Sequence, residues 1–67
     1  MLIWLRELRI NAGYTQKDIA TQAEITQQFY NYIENGVRHP SVKVAKKISS
    51  VLEFDWTRFF QEREHAS

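Results

Sequence analysis

Four punctuation marks cut this chain into short pieces: Gly13, the run Thr15-Gln16-Lys17-Asp18, the pair Asn35-Gly36, and Pro40-Ser41. Each stops or starts a helix for a local reason. Glycine tolerates the left-handed backbone that ends a helix. Threonine followed three residues later by an acid forms a capping box. Asn-Gly is a stop, and proline prevents continuation. The pieces between them fall at or below the ~12–15 residues an isolated helix needs in water, so they must lean on one another. The chain has 67 residues and no cysteine. A domain of that size buries only about 60% of its unfolded surface. Neither a disulfide framework nor a thiolate metal site is available to help it.

The pieces read as helices throughout, and no strand is predicted. LIWLRELRINA places Leu2, Leu5, Leu8 and Ala12 on one stripe. A second helix, beginning at Gln16 behind the Thr15 cap, runs to about Ala23 and buries Ile19, Ala20 and Ala23. Ile25 is the apolar residue of the connection, and Thr26 caps a third helix ending near Asn35. Ser41 caps a fourth through Leu52, with Val42, Ala45, Ile48 and Leu52 as its core stripe and Val44 and Val51 to the side. Asp55 caps a short fifth helix, WTRFFQER. The expected architecture is an all-α, compact five-helix domain over residues 1–61, with a frayed tail at 62–67.

The third helix carries the chemistry. At about 100° per residue, Thr26, Phe29, Tyr30 and Ile33 gather inward, while Gln27, Gln28, Asn31, Tyr32 and Asn35 gather outward. The outward face is rich in primary amides and uncharged. An amide offers a donor and an acceptor together, which matches the N6/N7 edge of adenine in the DNA major groove. A solvated helix that happens to be amide-rich is the plainer alternative. Two short helices joined by a tight turn, the second presenting a polar face, form helix-turn-helix geometry. Ala20 is the small residue that lets two such helices cross closely.

The segments Leu5-x-x-Leu8-Arg9, Gly13-Tyr14-Thr15-Gln16, Ile19-Ala20, Ile33-Glu34-Asn35-Gly36 and Arg38-x-Pro40-Ser41 occur in order and at characteristic spacing. Over about residues 5 to 60 the chain resembles the repressor-like helix-turn-helix domain of lambdoid phage repressors, Cro proteins and xenobiotic-response-element regulators. The resemblance implies sequence-specific binding of double-stranded DNA by a repressor-like transcription regulator. It implies base reading by Thr26, Gln27, Gln28, Asn31 and Tyr32, and contacts to the DNA backbone by Gln16, Lys17, Asn35, Gly36 and Arg38. Anions at the start of the second helix also suit its free amides and dipole. The resemblance further implies an ion pair between Arg9 and Glu34, joining the first helix to the end of the third. Two positions depart from the family pattern: Glu24 and Glu53 stand where glycine is usual, which places non-glycine residues in left-handed turns.

Other features bound the reading. Net charge is only +1, yet Arg38, Lys43, Lys46 and Lys47 fall in a stretch, 35–52, without an acidic residue. That is either a solvated face or a source of long-range attraction to DNA. The aromatic segment FDWTRFF exceeds what one small core accommodates, so Val44, Val51, Trp56, Phe59 and Phe60 are candidates for a homodimer patch. A monomer with these residues inside is the alternative. His39 and His65 have no ligand-like spacing, and no cofactor, metal or small-molecule site is evident. No nucleophile-base pair or glycine-rich phosphate loop suggests an enzyme. No apolar run reaches the ~18 residues of a membrane span, and MLIWLREL lacks the basic flank of a secretory signal. The expected setting is the cytoplasm, for a bacterial or phage-derived protein, at the nucleoid when bound. The competing class is a protein-interaction module, such as an antitoxin built on the same fold.

Overall fold

Thr15 opens the second helix with both halves of its capping box in place. Its Oγ1 accepts from the Asp18 amide at 3.0 Å, and Asp18 Oδ2 accepts from the Thr15 amide at 2.9 Å. These bonds hold the Asp18 carboxyl below the usual carboxylate range. In this computed structural model the element order is α1 (Ile3–Asn11), α2 (Gln16–Ala23), α3 (Gln27–Glu34), α4 (Val42–Leu52) and a 3-10 helix (Trp56–Ala66). The structure describes the backbone of residues 1–66 and the side chains of residues 1–61. The tail expected to fray, 62–67, lies outside the fully described residues. Among the described residues there is no strand.

Side-chain oxygens start the next two helices as well: Thr26 Oγ1 accepts from the Phe29 amide at 3.0 Å, and Ser41 Oγ from the Val44 amide at 3.2 Å. The ends of α2 and α4 are left-handed turns made without glycine, at Glu24 (φ 61°) and Glu53 (φ 60°). Glu24 returns something for its conformation, because its carboxylate pairs with Lys47 on α4. That lysine holds the Glu24 carboxyl below its ordinary value.

One core collects residues from every helix: Leu5, Ile19, Ala20, Ala23, Tyr30, Ile33, Ala45, Ile48, Leu52 and Phe59. α2 packs on both α3 and α4, and the 3-10 helix packs on α4. Ala20 and Ala23, both buried, keep the α2 contact face low enough for that double contact.

Several expectations are corrected. Val42, assigned to the core stripe of α4, is 48% exposed. A helical side chain covers the turn preceding its own Cα, and as first residue of α4 it has no such turn. Ala12 and Thr26, also assigned to inward stripes, are exposed because each flanks its helix as a cap. Phe59, assigned to a surface patch, is 5% exposed and belongs to the core. It sits 5.4 Å from the Trp4 ring and 5.5 Å from the Phe54 ring. The fifth element is 3-10 and not α. Three residues per turn bring Trp56 and Phe59 onto one face, and Asp55 caps its start through the Thr57 amide at 2.9 Å.

Candidate nucleic-acid interface

The α3 helix divides along its length. Tyr30, Ile33 and Glu34 are buried, whereas Gln27 and Gln28 are exposed and Asn31 and Tyr32 half-buried. Gln28 Nε2 donates to the Tyr32 hydroxyl at 2.7 Å, an i,i+4 bond along the outer face. Gln16, Gln27, Gln28 and Asn31 line one shallow depression. Thr26 lies at the start of this face with its hydroxyl oxygen committed to the cap.

Beneath that face lies the charge. Arg9 Nε donates to Glu34 Oε2 at 2.6 Å and Arg9 Nη2 to Oε1 at 3.4 Å. Arg9 Nη1 donates to the Tyr14 carbonyl at 3.0 Å. The side chains are 12% and 4% exposed, so this pair is internal. Burial alone would raise the Glu34 carboxyl, but the hydrogen bonds from Arg9 and Gln16, with the Tyr30 hydroxyl close by, outweigh it and hold the group below its ordinary value. Burial, with Glu34 beside it, pushes the Tyr30 hydroxyl far above the usual phenol range. That hydroxyl is enclosed without a well-formed hydrogen bond.

Gln16 connects the two layers. Its Nε2 donates to Glu34 Oε1 at 3.1 Å, and its Oε1 accepts from Asn31 Nδ2 at 3.2 Å. Asn31 Oδ1 in turn accepts from Asn35 Nδ2 at 3.0 Å. Gln16 is therefore half-buried and engaged at both ends of its amide. Nothing local in the sequence signals this, because its partners lie 15 and 18 residues away.

The other residues assigned to the DNA backbone, Lys17, Asn35, Gly36 and Arg38, are exposed. Gly36 adopts φ +78°, and the loop folds back so that the Val37 and Arg38 amides reach the Tyr32 carbonyl at 2.9 and 3.3 Å. The lysines of α4 do not form one free patch. Lys47 pairs with Glu24, Lys46 lies over the Trp56 ring at 5.2 Å, and Lys43 is exposed. Arg58 similarly covers Trp4, 4.5 Å from the ring centre. Of the aromatic and aliphatic patch, Val44, Val51, Trp56 and Phe60 remain half-buried at the surface. These cation–π covers were missed because charge and ring are distant in sequence or on different elements.

A capped helix, a turn through left-handed Glu24, and a second helix with its amides outward define a helix-turn-helix unit. The chain belongs to the helix-turn-helix family, whose profile matches residues 5–59. It is 49% identical over 59 residues to YqaF, an uncharacterized HTH-type transcriptional regulator of Bacillus subtilis (strain 168), spanning 88% of this chain and 78% of YqaF. It is 33% identical over 57 residues to the HTH-type transcriptional regulator SlrR of the same strain, spanning 84% of this chain but 38% of SlrR. No solved structure matches it.

Proposed function

We propose that this chain is a sequence-specific double-stranded DNA-binding transcription regulator, repressor-like, with α3 in the major groove. The observation that carries this reading is the division of α3: its one charge is turned inward to Arg9 while its amides are turned out. An uncharged amide face gains little from phosphates and discriminates base edges well. Gln27, Gln28, Asn31 and Tyr32, with Thr26 at the helix start, are the proposed base readers. Gln16, Lys17, Asn35, Gly36 and Arg38 flank them as contacts to sugar and phosphate, residues 1–61 forming the DNA-binding unit. Val44, Val51, Trp56 and Phe60 form the proposed homodimer surface, which would set two half-sites about 34–36 Å apart. No helix among the described residues is long and apolar enough to cross a membrane. The proposed setting is the cytoplasm of a bacterial cell, at the nucleoid when bound.

Selection from random DNA followed by fluorescence anisotropy tests the proposal. The wild-type chain should form a salt-sensitive complex with a defined site. Gln28→Ala should lose about 1–3 kcal/mol at one base pair, and Arg38→Ala should weaken all sequences alike. A chain that selects no site would instead favour a protein-interaction module, and copurification would then become the assay.

A further inference from the structure

The side-chain bonds that run from Glu34 to Asn35 have a direction. A carboxylate only accepts, so the Gln16 amide must turn its NH2 group toward Glu34 and its carbonyl away. The carbonyl then accepts from the Asn31 NH2 group, and the Asn31 carbonyl accepts from Asn35. Reversing Asn31 alone would set carbonyl against carbonyl at Gln16 and NH2 against NH2 at Asn35. Reversing all three amides would aim the Gln16 carbonyl at the Glu34 carboxylate. One sense of the chain is therefore strongly favoured. Each bond uses one of the two donors or two lone pairs that an amide possesses. Asn31 keeps one N–H and one lone pair for a partner, in an arrangement that a freely rotating amide would not hold. Holding a reading group in one geometry removes an ordering cost at binding.

We propose that Glu34, acting through Gln16, sets the donor–acceptor sense of the Asn31 amide, making Gln16 a positioning residue for specificity at the base pair that Asn31 reads. This rests on the DNA-binding reading above. It differs from a phosphate-contact role for Gln16, which predicts equal weakening on every sequence. Gln16→Met keeps the length and half-buried packing of the side chain and removes both bonds.

The test pairs a DNA readout with one in the free protein. A well-made amide–base pair discriminates roughly 5- to 150-fold. On the selected site and its single-base variants, Gln16→Met should lose about tenfold in discrimination at the one base pair where Asn31→Ala also loses it. Weakening by a single factor on all sequences, with preference intact, would overturn the proposal. In the free protein, the side-chain amide NMR signals of both Asn31 and Asn35 should move in Gln16→Met while that of exposed Gln22 stays. Unmoved Asn31 and Asn35 signals would also overturn it. If the wild-type chain selects no DNA, the functional reading fails, and the NMR arm still decides whether the amide sense is set this way. Should Gln16→Met not fold, the wild-type chain keeps the proposal testable: the Asn31 side-chain N–H donated to Gln16 should exchange with solvent more slowly than those of exposed Gln22, and equal exchange would overturn it.

Discussion

Removing Arg9 should be among the most damaging single changes on this chain outside the apolar core. Arg9→Met keeps much of the aliphatic stem and deletes the guanidinium. Glu34, with only 4% of its side chain exposed, is then left as a buried carboxylate whose remaining bond of good geometry is from Gln16. Breaking a buried pair from one side costs about 3–5 kcal/mol, against the 0–1 kcal/mol of an exposed pair. A domain of this size has about 3–10 kcal/mol in total, so the loss is a large fraction. In a thermal melt it corresponds to a fall of roughly 12–40 °C. The pH dependence gives a second, independent signature. In the wild-type chain the Glu34 carboxyl is held below its ordinary value of 4.5. Its contribution is therefore complete above that value and is lost as pH falls through the lower, folded-state value. In Arg9→Met the sign reverses: burial without a cation raises the carboxyl, the folded state binds the extra proton, and acidification from neutral pH should recover stability. Urea titrations of both proteins between pH 7 and pH 5 resolve the two curves. A loss under about 1 kcal/mol, or parallel pH dependence in the two proteins, would refute the claim that this pair is internal and mutually dependent.

Three further changes test the helix ends. Glu53→Gly relieves a left-handed residue at the end of α4 and should stabilise by about 1 kcal/mol in a thermal or urea melt. Glu24→Gly relieves the same backbone strain but gives up the contact with Lys47, so its gain should be the smaller of the two. Equal gains would show that the Lys47 contact contributes nothing. Thr15→Ala removes one half of the capping box and should cost about 1 kcal/mol in a urea titration while leaving base preference on a selected DNA site unchanged.

What could be read from the sequence follows from how far apart the interacting groups lie. The caps at Thr15, Thr26 and Ser41 each bond to an amide three residues on, so composition over four residues suffices to find them. The left-handed turns at Glu24 and Glu53 were legible only through family resemblance, since glutamate itself argues against that backbone. The core of α4 was legible in part: Ala45, Ile48 and Leu52 are inside, but phase alone extended the stripe to Val42. Phase describes a helix of indefinite length, and Val42 sits where the helix has just begun. Phe59 was misassigned for a different reason. Four aromatic residues compete for one small core, and only the placement of Trp4 decides that Phe59 and Phe54 close over it.

The chain of amides could not be read at all, and its absence from the sequence reading is instructive about specificity. Helical phase correctly turned Asn31 outward, but phase says nothing about which end of an amide faces which neighbour. That depends on an acceptor-only group being within reach, and here the group is the buried Glu34, three residues on along the same helix and reached through Gln16 on α2. The same carboxylate therefore has two tasks that a single mutation does not separate. It completes the Arg9 pair that holds α1 to α3, and it orders the amides above it. Only substitutions at Gln16 or beyond it divide the two. This gives Gln16→Met its diagnostic value: it leaves Arg9 and Glu34 joined, so any change in base preference cannot be attributed to loss of the ion pair.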